Sequence, residues 1–164
     1  MKQYPENIVP ASSTGGKRKA LPTVIVLHHT GGSGIDANEI AYLQTNPPGI
    51  SIHYYISKTG TRTRMVPDDV IAYHCGNSKV GSLGAPNAAS LGIEICNTGS
   101  KTKPDPYPLA QIESTAQVVA RWLHAYPIQM ITSHAGIDTK GKYDPYNFPW
   151  QQFYAMLATY MVTE

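Results

Sequence analysis

The sequence predicts a single α/β domain, a central mixed β-sheet flanked by helices. Three features carry that reading. The stretch "TVIVLHHTGGSG" (Thr23 to Gly34) opens on an unbroken run of apolar and β-branched residues, as a strand buried on both faces does. Leu109 to Ala125 places Ile112, Ala116, Val119 and Leu123 at helical spacing. Finally, 164 residues fit one domain with a real core, and neither an internal repeat nor a linker divides them.

The elements follow in order. Residues 1–20, rich in Pro, Ser, Gly and Lys, read as an extended N-terminal arm, with Lys17, Arg18 and Lys19 as a solvated basic cluster. Residues 21–164 form the domain. Thr23 to Thr30 is a strand. Asp36 followed by Glu39 resembles a capping box that opens a short helix to Leu43, stopped by "NPPG" at Asn46 to Gly49. Ser51 to Lys58 and Arg62 to Val66 flank a Thr-Gly turn and read as a hairpin. Val70 to His74 is a short strand candidate, and Asn77 to Ser90 is a long polar loop. Leu91 to Asn97 returns to strand, Leu109 to Ala125 is helix, and Ile128 to Thr132 is the last strand. Pro149 to Met161 is the last helix, with proline at its start.

Composition narrows the function classes. Hydrophobic residues make up 41% and charged residues 15%, which is globular rather than disordered. A net charge of +2 with a single basic cluster lacks the basic stripe of a nucleic-acid binder. The start "MKQYPENIVPASSTGG" has no apolar h-region, and no run approaches a membrane span. Cys75 and Cys96 match neither a disulfide framework nor a zinc knuckle and read as free thiols. Eleven tyrosines against two phenylalanines supply rings with a polar tip, suited to a wet cleft.

Chemistry gathers at strand ends. Side chains alternate along a strand, so Val24, Val26 and His28 share one face while Ile25, Leu27 and His29 share the other. One histidine of the pair can therefore aim at a given site. "IQMITSHAG" delivers His134 at the end of another apolar strand, and Asp144 follows in "KYDPYNFPW" before a stiffening proline. Two histidines and a carboxylate form a catalytic zinc set, because they leave a fourth tetrahedral position for water. Strand-end histidines are also common as ordinary hydrogen-bonded side chains. Glu94 shares a strand face with Gly92 and Cys96 and points either to solvent or into a cleft. Lys142, two residues before Asp144, either leans over the same place or is an ordinary surface charge on a loop.

Four segments in order, "VIVLHHTGG", "ISIHYYISKTG", "SLGIEICN" and "SHAGIDTKGKYDPYNFPW", resemble the type 2 N-acetylmuramoyl-L-alanine amidases, which share a fold with peptidoglycan recognition proteins. The likeness runs from Thr23 to the C-terminus. It implies that His28, His134 and Asp144 hold zinc, that Glu94 is the general base, and that Lys142 stabilises the tetrahedral intermediate. His29 is then a scaffold residue. "AYHCG" stands where many members have Trp-His-Ala-Gly, which makes His74 a candidate substrate contact, with a core role as the alternative. His53 and Asn97, within the matching segments, are further substrate-contact candidates. Two departures stand out. Ile52 precedes His53 where some phage members have tyrosine, and the usual Asp-Pro-Gly is Asp144-Pro145-Tyr146.

The implied function is zinc-dependent hydrolysis of the amide between N-acetylmuramic acid and L-alanine. A compact amidase without a signal peptide fits a phage endolysin held in the host cytoplasm before release. A cytoplasmic wall-recycling amidase and a non-catalytic recognition module are the alternatives, as is a cysteine peptidase using Cys75 or Cys96. The expected partner is peptidoglycan, as muropeptide, with no nucleic acid and no membrane insertion, and the expected state is a monomer.

Overall fold

The computed structural model describes residues 2–46 and 48–162. Met1, Thr163, Glu164 and Pro47, one of the residues of the expected helix stop, lie outside the described residues. Six strands form one mixed sheet: β1 (Glu6–Ile8), β2 (Val24–His29), β3 (Tyr54–Ile56), β4 (Arg62–Arg64), β5 (Ser90–Ile95) and β6 (Met130–Ser133). Their order across the sheet is β1-β4-β3-β5-β2-β6. β3 and β4 pair antiparallel as the expected hairpin, and the other neighbours run parallel. The predicted α/β class with a mixed sheet and flanking helices is borne out.

The alternation in β2 sorts the core into two layers. Ile25 and Leu27 join Leu91, Ile93, Ile95, Tyr54 and Ile56 on one face. That face is closed by α3 (Leu109–Ala125) and α5 (Trp150–Met161), through Ile112, Ala116, Val119, Trp122, Phe153 and Leu157. Val24 and Val26 turn the other way, onto Cys75, Val80, Ala89 and Ile137. There the cover is thinner: α1 (Asp36–Thr45), the short α2 (Pro86–Ala89) and α4 (His134–Ile137), and loops. The open ground on this second face is where the site lies. No helix among the described residues is long and apolar enough to cross a membrane.

Several local expectations are corrected. α1 begins at Asp36 with Ile35 as its N-cap and no side-chain cap. Asp36 instead accepts the Tyr55 hydroxyl at 2.5 Å, and Glu39 turns inward to accept the Gly34 N–H at 2.9 Å. The residues from Val70 to His74 form no strand, only a bridge between Val70 and Lys17. The chain before Thr23 includes edge strand β1, which pairs with β4. Arg18 is not a solvated arm residue: its guanidinium donates to the carbonyls of Asp68, Ala88 and Ser90 at 2.6–2.7 Å and so pins the segment to the domain.

β5 carries Gly92 at its centre for lack of room. A Cβ there would lie 2.6 Å from both His74 Nδ1 and Ile52 Cδ1. Gly92→Ala is expected to lower stability by about 1–3 kcal/mol, the usual cost of overpacking. Urea denaturation checks this; an unchanged midpoint would show that His74 and Ile52 can yield.

Candidate metal and active site

Strand register builds the site. His28 of β2 is the partner of Glu94 on β5. On the other side of β2, Leu27 is paired with Ser133, so His134, one residue beyond β6, falls level with His28. Glu94, His28 and His134 thus form a row across three adjacent parallel strands, at the carboxyl ends where parallel sheets open their clefts. Asp144 arrives from the loop after α4, tied down by the Ala135 N–H donating to its carbonyl at 2.9 Å.

Three donor atoms converge. Asp144 Oδ2 is 3.3 Å from His28 Nδ1 and 3.2 Å from His134 Nδ1, and the donor atoms of the three residues all lie within 4.8 Å of one another. Bonds of about 2.0–2.1 Å to a tetrahedral metal put neighbouring donors about 3.3 Å apart, so the spacing fits such an ion. Protonation fits as well. Burial pushes the His28 imidazole below its ordinary value, and Asp144 opposes this only in part. Burial pushes the Asp144 carboxyl up, but the His134 and His28 rings outweigh it and leave it well below the usual carboxylate range. His134 Nε2 faces the Cys75 carbonyl at 3.1 Å. A carbonyl only accepts, so a ring proton sits on Nε2, and Nδ1 is the nitrogen presented to a metal beside the carboxylate. An ionised carboxylate beside two ring nitrogens is the kind of donor set a metal requires.

Glu94 supplies the base position. Its Oε2 is buried with no hydrogen-bond partner among the described residues. Burial above all, then the nearby Asp144 and Glu39 charges, raise its pKa well above the ordinary value. A buried carboxyl with a raised pKa beside a candidate metal site is the usual mark of a general acid–base group. A cavity of about 340 Å³ opens over the row, lined by His28, His134, Asp144, Glu94, Lys142 and Glu39 among others. A second cavity of about 350 Å³ adjoins it, sharing Ile50, His74, His134 and Lys142. Together they make a groove crossing the donor atoms. The thiols are unsuited to nucleophilic work: both are buried, and burial pushes Cys75 up to about 11.

A family model described as N-acetylmuramoyl-L-alanine amidase matches residues 17–147. The chain belongs to the N-acetylmuramoyl-L-alanine amidase family. It is 32% identical over 162 residues to the 1,6-anhydro-N-acetylmuramyl-L-alanine amidase AmpD of Enterobacter cloacae, covering 84% of this chain and 82% of AmpD. It is 30% identical over 125 residues to the amidase CwlA of Bacillus subtilis, covering 74% of this chain and 42% of CwlA. A crystal structure of a selenomethionine AmpD derivative superposes with a TM-score of 0.73 at 27% identity, covering 95% of this chain and 96% of that one. The resemblance read from the four segments is therefore borne out, and this amidase-family chain is an enzyme by kinship.

Within this amidase-family site the structure brings together His28, His134, Asp144, Glu94 and Lys142. Lys142 lines the groove with an exposed side chain, while its backbone N–H donates to Asp138 at 2.8 Å. Two expected substrate contacts are corrected. His53 is fully buried, with Nδ1 accepting the Gly92 N–H at 3.0 Å and Nε2 beside the Val70 carbonyl. Asn97 is fully buried too, donating to the Asp105 carbonyl and accepting the Gly99 N–H. Both hold loops together and neither lines the groove. His29 accepts the Tyr146 N–H at 3.1 Å and so braces the loop that carries Asp144. Glu39 was missed, since its place after Asp36 reads as a helix cap. Its one signal is that it lies a turn past a glycine-rich bend next to a histidine pair.

Proposed function

We propose that this amidase-family chain hydrolyses the amide joining N-acetylmuramic acid to the L-alanine of peptidoglycan, with zinc held by His28, His134 and Asp144. The convergence of two imidazole nitrogens and an ionised carboxylate at 3.2–3.3 Å, with Glu94 next in the row, carries the reading. Zinc in such a site supplies a Lewis acid that polarises a carbonyl and acidifies water. Glu94 accepts a proton from the water that adds to the lactyl carbonyl carbon. Lys142 brings positive charge to the side of the groove where the carbonyl oxygen becomes negative. When the C–N bond breaks, Glu94 returns its proton to the departing L-alanine amine, which its raised pKa equips it to do.

Two substrate forms fit this chemistry. Intact wall polymer corresponds to an endolysin acting after release from a host cytoplasm. The AmpD relative from Enterobacter cloacae is named a 1,6-anhydro-N-acetylmuramyl-L-alanine amidase, which favours soluble fragments as the second form. Mass spectrometry of digests of purified peptidoglycan and of 1,6-anhydro muropeptide tests both. Free stem peptides with a new L-alanine amine, abolished by a zinc chelator and restored by zinc, are expected. Intact glycopeptides with the protein still bound to the wall would overturn the hydrolytic reading. Faster release from polymer than from fragments marks the endolysin form, and the reverse order marks fragment recycling.

A further inference from the structure

His74 borders the groove, yet both its ring nitrogens are already engaged. Nδ1 is 2.9 Å from His28 Nε2, and Nε2 is 3.1 Å from Ser90 Oγ. Ser90 Oγ is in turn 2.6 Å from the Pro86 carbonyl. The far end of this chain dictates every proton in it. A carbonyl only accepts, so the Ser90 hydroxyl donates to Pro86. Ser90 Oγ then accepts from His74, whose proton is on Nε2. That leaves His74 Nδ1 bare, and it accepts from His28 Nε2. His28 therefore donates through its outer nitrogen, and Nδ1 is the nitrogen presented to Asp144 and to a metal. The opposite order would leave the Ser90 and Pro86 oxygens 2.6 Å apart with no proton between them.

We infer that His74 and Ser90 are positioning residues, which set the tautomer and aim of His28 through an ordered hydrogen-bond chain anchored on the Pro86 carbonyl. The expected role of His74 as a substrate contact gives way to this one, because no ring nitrogen remains for a ligand. The surroundings hold the ring in place. Asn87 Oδ1 accepts the backbone N–H groups of His74 and Cys75 at 3.0 and 2.9 Å, and the missing Cβ of Gly92 makes room for the imidazole. Metal-binding histidines commonly donate their second N–H to a fixed acceptor, and losing that acceptor typically costs 10–100-fold in metal affinity. Here the acceptor is a neutral imidazole, which is itself locked two links further on. His134 has the simpler version, with its Nε2 proton held directly by the Cys75 carbonyl.

The inference rests on His28 being a metal ligand, and two readouts keep the questions apart. The first is the His28 tautomer in metal-free wild-type protein at about pH 8, read from two-dimensional imidazole ¹⁵N spectra. A proton on Nε2 is expected, and a proton on Nδ1 would overturn the chain. The second is zinc affinity by competition with a chelating dye, with thermal melting as the folding control. His74→Leu is expected to bind zinc 10–100-fold more weakly. His74→Asn, whose Oδ1 replaces the Nδ1 acceptor, is expected to recover most of the loss, and Ser90→Ala to fall between wild type and His74→Leu. Wild-type affinity in His74→Leu, or equal loss in both His74 variants, would overturn the positioning role. Should His74→Leu fail to fold, Ser90→Ala and His74→Asn decide the matter. A wild-type protein that ignores zinc would defeat the metal reading, while the ¹⁵N spectrum still decides the chain.

Discussion

Asp144→Ala is expected to lose tight zinc binding and to slow hydrolysis by roughly 10³-fold or more, because Lewis-acid assistance supplies several kcal/mol of transition-state stabilisation. Asp144 is the only anion among the three donors, and its Oδ2 is the atom that both imidazole nitrogens approach. Without it two neutral rings remain, with nothing to balance a divalent charge or to draw them together. The fold should survive, since the loop is also held through the Asp144 carbonyl and the Tyr146 N–H, both backbone groups. Metal analysis after dialysis, beside an activity assay, checks this. Stoichiometric zinc in the variant would remove Asp144 from the ligand set.

Glu94→Gln is expected to keep zinc and lose 10²–10⁴-fold in kcat, the usual contribution of a general base. It should also gain stability. In the metal-free protein, burial raises the Glu94 pKa, so the folded state holds a proton that the unfolded chain releases above the ordinary carboxylate value. Wild-type stability therefore falls as pH rises from that value toward the raised one, and glutamine has no such proton to lose. Melting curves of chelated wild type and variant should coincide below about pH 4 and separate toward neutral pH, the variant melting higher. Full activity in the variant would remove Glu94 from the base role. Equal melting at neutral pH would show that the carboxyl finds a partner when charged.

Local pattern made the scaffold readable. The alternation in "VIVLHH" places His28 on the face opposite Leu27, where the structure has it. The spacing of Ile112, Ala116 and Val119 bounds α3 at Leu109 and Ala125, as observed. Strand lengths were less legible: the hairpin strands shrink to Tyr54–Ile56 and Arg62–Arg64, because flanking residues that look like strand bond to loops instead. β1 escaped notice because three exposed residues carry no periodicity. At the site, residue types and the resemblance picked out the converging donors. Partners chosen by tertiary approach could not be read, among them Arg18 with Ser90, Glu39 with Gly34 across a bend, and His74 with His28.

The row of Glu94, His28 and His134 also has a consequence for how the protein comes into being. Its members lie on three parallel strands joined by long crossovers, so none of the contacts between them is local in sequence. Such contacts form only after large loops have closed, and they close slowly. A chain halted on the ribosome before His134 could hold a hairpin and part of a sheet, but it would have no hydrolytic centre. The candidate site is complete only when β6 has docked beside β2 and the Asp144 loop has closed onto it.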